Sequence, residues 1–231
     1  MKKDWLSLLL IIPAYNEEAS IEKVVENIRN NYPNYDYVVI NDGSEDSTSE
    51  ICHSKGYNVV DHPVNLGLAA AFQTGMRYAY EHGYDAAMQF DADGQHRPEY
   101  IDGLLKKMKE GYDVVIGSRF VDRKKPHSLR MLGSSMISGA IRMVTGKKIT
   151  DSTSGMRLYS RNVMKVLADN INYGPEPDTI SFLIKKGMKV EEVQADMAER
   201  KDGESYLTPG KSIKYMVRML VSILIIQPVR R

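Results

Sequence analysis

Short apolar runs and amphipathic stretches alternate along the first half of the chain. Residues 8–12 (LLLII) are continuously apolar, and Pro13 is expected to end that strand. A helix is predicted from Asn16-Glu17-Glu18 to about residue 30, with Ile21, Val24, Val25 and Ile28 at helical spacing. Residues 37–40 form a second strand, halted by Asn41-Asp42-Gly43-Ser44. The same reading predicts a short helix over 47–54, a strand over 58–60, an Ala-rich helix over 68–81 and a strand over 86–90. A helix over 99–109 and a strand over 114–116, ending in Gly117-Ser118-Arg119, follow.

The second half is less regular. A Ser/Met/Gly-rich helix is predicted over 129–144, then a polar loop at 151–157 leading into a short strand. A helix over 178–186, a strand over 190–193 and a final helix over 212–226, opened by Pro209, complete the pattern. Apolar strands alternating with amphipathic helices imply an α/β fold, a mostly parallel sheet with helices on both faces. Ligands of such sheets bind at the carboxyl ends of the strands. Tyr15, Glu17, Asp42, Asp93 and Arg119 all fall at such ends, which implies a single site.

Composition changes this picture little, but charge changes it more. The chain has 231 residues, 42% hydrophobic and 26% charged, with no low-complexity tract. Counting Lys+Arg against Asp+Glu, residues 1–115 give 10 − 19 = −9 and residues 116–231 give 21 − 11 = +10. An acidic half suits a metal, and a basic half suits an anion or a membrane surface. The single Cys52 excludes an internal disulfide and a zinc cluster, and fits a cytoplasmic setting. Met1-Lys2-Lys3 before the first apolar run is signal-like, but Asp4 breaks the charge pattern and Pro13-Ala14-Tyr15 is a poor cleavage site. The run reads as a buried strand, and no run approaches the ~20 residues that span a bilayer.

The sharpest chemistry is Asp91-Ala92-Asp93-Gly94-Gln95-His96, where the strand over 86–90 ends in acid. Alternation lets Asp91 and Asp93 converge on one point, and Gly94 lets the backbone turn to bring in Gln95. Three hard oxygen donors suit Mg²⁺ or Mn²⁺ that keeps waters and shares a substrate's phosphates, the alternative being a solvated Asx-rich turn that caps a helix at Pro98. Asp42 could accept from a pyrimidine N–H or cap a turn, and Asn65-Leu66-Gly67 could approach ribose or phosphate or merely start a helix. GxxxxGK[ST] and GxGxxG are both absent, which excludes an ATPase-type phosphate loop and weighs against a dinucleotide fold.

Together these stretches resemble family 2 glycosyltransferases of the GT-A fold, whose sheet is Rossmann-like. The matches are IIPAYNEE (11–18), NDGSEDST (41–48), NLGLAAA (65–71), DADGQH (91–96), GSR (117–119) and DSTSGMRLY (151–159). With AERKDGES (198–205), the pattern is most similar to dolichol- and polyprenyl-phosphate sugar synthases. The resemblance implies that Pro13, Tyr15, Glu17 and Asp42 hold the nucleotide, with Gly67 also in the substrate site, and that Asp91, Asp93 and Gln95 hold the metal. It implies further that Arg119 and Arg157 face donor and acceptor phosphates beside Asp151, with Arg200 and Ser205 on a loop closing over the donor.

The expected function is inverting transfer of a sugar from a nucleotide-diphosphate donor, a UDP-sugar such as UDP-GlcNAc or UDP-glucose, to polyprenyl phosphate for cell-envelope polysaccharide or glycan synthesis. One alternative moves the sugar to a hydroxyl of a glycan or lipid, with Asp151, Glu176 or Asp178 as base. The other is a non-catalytic nucleotide-sugar-binding member. Residues 1–208 are expected to form the catalytic domain and 209–231 an amphipathic helix on the membrane. Lys211, Lys214 and Arg218 recur at helical spacing among apolar residues, with Arg230-Arg231 behind them. Packing of that helix on the domain is the competing reading, and the +10 excess favours the membrane. The expected setting is therefore cytoplasmic, peripheral on the inner face of an anionic membrane. A small membrane protein or a second copy is a candidate partner, and nucleic acid is not.

Overall fold

The structure, a computed structural model, describes residues 6–90, 98–126, 128–170, 173–196 and 209–229. Among the described residues seven strands form one sheet: β1 (Leu8–Ala14), β2 (Asp36–Asn41), β3 (Val59–Asp61), β4 (Ala86–Gln89), β5 (Val114–Ser118), β6 (Arg157–Ser160) and β7 (Val190–Gln194). Their spatial order is β3-β2-β1-β4-β6-β5-β7. All pairings are parallel except those of β6, which runs antiparallel to β4 and β5. That reversal brings Arg157, the first residue of β6, toward the carboxyl end of β5, opposite Ile116.

The period-2 alternation of the strands sorts the core into two layers. Leu9 and Ile11 of β1 point to one layer with Val38, Ile40, Val114, Ile116 and Tyr159. Helices α3 (Leu68–Glu81), α5 (Leu129–Thr145), α6 (Arg161–Asp169) and α7 (Pro177–Lys185) cover that face. Leu8, Leu10 and Ile12 point the other way, with Val39, Met88, Val115 and Leu158. There they meet α1 (Ile21–Asn31), α2 (Thr48–Ser54) and α4 (Ile101–Lys109). Each such side chain taken fully from water contributes ~1.5–3 kcal/mol. Gly75 of α3 lies where a Cβ would strike the Ile11 side chain, so helix and strand close up there.

Four local expectations are corrected. β1 runs through Pro13 to Ala14, because its ladder with β4 stops at Ile11↔Gln89 and the missing N–H of Pro13 falls beyond it. The first helix starts at Ile21, not Asn16. Asn16 adopts φ 56°, and the N–H groups of Ser20 and Ile21 both turn back to the Glu17 carbonyl. The sequence reading gave no element at Arg161–Asp169, yet Val163, Met164, Leu167 and Ala168 are buried at helical spacing on α6. The last helix, α8, runs Pro209–Val221 and then winds as a π-helix over Ser222–Ile226.

The C-terminal helix packs on the domain and still leaves an apolar stripe outward. Met219 and Ile223 are buried in the core layer of α5 and α7. Gly133 of α5 faces Met216, where any Cβ would collide with the methionine sulfur. Ile213, Val217, Val221 and Leu224 lie on the other side and are exposed, as are Leu132, Met136 and Met143 on α5. No helix among the described residues is long and apolar enough to cross a membrane.

Candidate active site

Two loops at the ends of β1 and β2 are laced into one wall. Asn16 donates its N–H to Ser44 Oγ at 3.0 Å and accepts from the Glu45 N–H at 2.9 Å. Glu17 N–H donates to Thr48 Oγ1 at 2.8 Å, Glu18 N–H to Asp46 at 3.0 Å, and Ser47 N–H to Glu18 at 3.0 Å. The IIPAYNEE and NDGSEDST stretches are therefore complementary halves of one structure. Pro13 and Glu17 are half-buried in it, and Tyr15 is exposed.

Asp42 takes the turn-capping role. Oδ1 accepts from Leu66 N–H at 3.0 Å and Oδ2 from Gly67 N–H at 2.7 Å, fixing the segment that opens α3. His62 Nδ1 lies 2.7 Å from Oδ1, and its Nε2 lies 2.8 Å from Thr74 Oγ1. Gly67 has φ 88°, where a side chain would be strained, and it donates to Asp42. Both oxygens of Asp42 thus hold this turn, the capping role that its place before Gly43 also allowed. Beside this turn a cleft of about 450 Å³ opens between the ends of β2 and β3, lined by Asn41, Gly43, Ser44, Asp61, His62 and Asn65.

At the end of β5, Arg119 and Asp151 meet in a fork. Arg119 Nε donates to Asp151 Oδ2 at 2.7 Å and Nη2 to Oδ1 at 2.8 Å, while the Arg119 backbone N–H adds a third bond at 3.1 Å. The Asp151 side chain is 0% exposed and that of Arg119 26%. Burial alone would raise the Asp151 carboxyl, but the hydrogen bonds and charge of Arg119 together hold it below the usual carboxylate range. Glu192 of β7 fixes the loop from behind, accepting from Thr150 N–H at 2.7 Å and Asp151 N–H at 2.8 Å.

Arg157 does not line an open site. It is 1% exposed and donates to three carbonyls, those of Ser154 at 2.8 Å, Ser152 at 2.7 Å and Glu176 at 3.0 Å. Its expected place at the phosphates is corrected to that of a positioning residue, because the guanidinium ties the Asp151 loop to the start of α7. Glu176 in turn accepts from the Tyr215 hydroxyl at 2.5 Å and from Arg218 at 3.2 Å, and Asp178 accepts from Ser222 Oγ at 2.6 Å. The three carboxylates considered as bases are all held by partners.

Asp91, Asp93 and Gln95, together with Arg200 and Ser205, lie outside the described residues, as do Arg230 and Arg231. Among the described residues no group of three or more His, Cys, Asp or Glu is placed to hold a metal ion. Sequence reasoning missed His62, Glu192 and Lys125. Only Glu192 left a signal, as one of two consecutive acids in a strand that begins on the buried Val190.

Residues 9–167 match the family described as glycosyl transferase family 2. An undecaprenyl-phosphate mannosyltransferase of Micrococcus luteus is 30% identical over 220 residues, 89% of this chain and 89% of that protein. A UDP-N-acetylglucosamine–dolichyl-phosphate N-acetylglucosaminyltransferase of Methanococcus voltae is 36% identical over 186 residues, 71% of this chain and 73% of that one. Among solved structures, glucosyl-3-phosphoglycerate synthase of Mycobacterium tuberculosis, complexed with Mn²⁺, UDP and phosphoglyceric acid, shares the fold. Its TM-score is 0.67 at 18% identity, covering 97% of this chain and 84% of that one.

Proposed function

The chain belongs to glycosyl transferase family 2, and from that membership we propose that it moves a sugar from a UDP-sugar to a polyprenyl phosphate, inverting the anomeric carbon. The observation that carries the choice of acceptor is the state, among the described residues, of the three carboxylates considered as bases. Asp151 is locked to Arg119, Glu176 to Tyr215 and Arg218, and Asp178 to Ser222. A hydroxyl acceptor needs a free base. A phosphate monoester, with its second pKa near ~6, is already a nucleophile at neutral pH and needs only a cation to hold it. Relatives named for undecaprenyl and dolichyl phosphates support the same choice.

Each residue then has a physical part. The exposed ring of Tyr15 offers a face to the base, beside the wall that Glu17 and Asp42 keep in shape. Arg119, oriented by Asp151, presents its remaining N–H donors to phosphate oxygens. Asp91, Asp93 and Gln95 are oxygen donors only, a set that fits Mg²⁺ or Mn²⁺, and the ion supplies positive charge for the leaving diphosphate. The protein works as a peripheral one on the inner face of the membrane, which the outward apolar stripe of α8 and α5 supports.

The test is a donor panel of UDP-sugars with a short-chain polyprenyl phosphate, reading UDP release and the lipid product. Product only with the phosphorylated lipid supports the proposal. Equal transfer to the matching polyprenol would overturn it.

A further inference from the structure

A second cation sits beside the Arg119–Asp151 pair, in the loop between β5 and α5. Lys125 is half-buried, and its sole hydrogen bond among the described residues goes to Ser134 Oγ at 3.2 Å. Ser134 contacts Thr153 Oγ1 at 3.3 Å, and Arg119 Nη2 reaches the same Thr153 oxygen at 3.4 Å. The two cations also share one aromatic ring, Arg119 at 5.2 Å and Lys125 at 5.6 Å from the centre of Phe120. Lysine has three donors and arginine five. Lys125 uses one, and the Nη1 of Arg119 donates to nothing among the described residues.

We propose that Lys125 is an acceptor-binding residue, which together with Arg119 and the hydroxyls of Ser134 and Thr153 seats the phosphate of a phosphate monoester. It rests on the reading above that the acceptor is such a monoester. The chemistry of the arrangement is that of an anion seat. Two like charges are held close around one ring and linked by two hydroxyls. Thr153 Oγ1 donates to Asp151 Oδ1 at 3.3 Å and would turn to an anion only by releasing it. Ser134 Oγ lies beside it, and each cation keeps unused N–H groups. Asp151 engages one side of Arg119, and Glu192 is turned to the backbone of Thr150 and Asp151. Burial lowers the Lys125 ammonium below the usual lysine range and Arg119 lowers it further, against the pull of Asp151 and Glu192. A phosphate dianion in the seat would reverse that shift and remove the repulsion between the two cations. Lys125 thereby takes the second-cation role that the sequence reading gave to Arg157.

The experiment uses the full chain with Lys125→Met, which keeps the apolar stem over Phe120, and Lys125→Arg, which keeps the charge. Lys124→Ala, an exposed neighbour, is the control. Lys125→Met should raise the acceptor KM by about 10-fold or more, the scale of one charge-assisted hydrogen bond, while the donor KM stays within about 2-fold. Lys125→Arg should recover most of the loss. Calorimetric titration without donor, using short-chain polyprenyl phosphate and inorganic phosphate in separate runs, gives a readout independent of transfer. Weakening of both by Lys125→Met, at an unchanged melting temperature, supports the phosphate seat. Weakening of the lipid alone supports a seat that needs the prenyl chain. An acceptor KM and both titrations unchanged in Lys125→Met overturn the proposal. If the wild type transfers only to hydroxyl acceptors, the functional reading fails, and the inorganic phosphate titration alone then decides Lys125: binding lost in Lys125→Met upholds the seat, and binding kept overturns it.

Discussion

Arg119 and Asp151 face each other through two side-chain hydrogen bonds of 2.7 and 2.8 Å, yet only the arginine reaches solvent. The pair is therefore asymmetric. Arg119→Ala strands a fully buried carboxylate and should cost ~3 kcal/mol, whereas Asp151→Asn leaves a cation that can hydrate and should cost less. Because the folded carboxyl is held below its unfolded value of ~3.9, its stabilisation is present above about pH 4 and lost as pH falls through the folded pKa. Urea melts between pH 3 and 7 should show this acid limb in the wild type and a flattened one in Asp151→Asn.

Arg119→Lys separates fork from charge. The ammonium cannot span both oxygens of Asp151, so the side chain loses its fixed aim at the phosphate. Transfer should fall by about 10-fold or more in kcat/KM while the melting temperature moves little. Wild-type kinetics in this variant would place phosphate binding elsewhere.

Arg157 should behave differently from Arg119. Its three bonds all go to carbonyls, so Arg157→Lys can satisfy only part of them and leaves buried acceptors open, each costing ~1–3 kcal/mol. The expected signature is a lowered melting temperature, with an acceptor KM little changed in whatever protein remains folded. A stable variant with a raised acceptor KM would return Arg157 to the phosphates.

These contrasts mark how far the sequence could be read. The strands and helices of the first half follow from period 2 and period 3.6, and the grouping of loop ends at the carboxyl edge follows from parallel pairing. Two residues of one type, Arg119 and Arg157, were indistinguishable by motif. Burial separates them, and burial depends on the reversed direction of β6, for which no local signal exists. Asp42 is the same problem in miniature: an Asp-Gly turn is visible in sequence, but its partner His62 comes 20 residues later through the β2–β3 pairing. Lys125 is invisible because it sits in the Arg-Lys-Lys run at 123–125, which reads as a solvated loop.

Metal dependence is tested at Asp93. Asp93→Ala removes one of the three oxygen donors proposed for the ion, in the stretch that follows β4 in the sequence. Transfer should be lost with melting unchanged, and EDTA should silence the wild type. Full activity under either treatment would remove the ion from the mechanism.

The final expectation concerns the outward stripe, and the packing of α8 dictates how to test it. Deleting 209–231 would uncover the α5 and α7 surface that Met219 and Ile223 bury, so a truncated chain would bind lipid or aggregate through its own exposed core. Point changes avoid this. Ile213, Val217 and Val221 recur every four residues on the exposed side, with Lys214 exposed beside them. Ile213→Ser, Val217→Ser and Val221→Ser together should abolish flotation with anionic liposomes while leaving melting within a few degrees. Lys214→Glu should weaken binding on the order of 1–2 kcal/mol at low salt and less as salt rises, since a basic residue near an anionic leaflet contributes roughly 1 kcal/mol. Arg218 is unsuited to this test because it also holds Glu176. Flotation that survives the triple change, or that is equal on neutral and anionic vesicles, would mean that the stripe meets a protein partner instead.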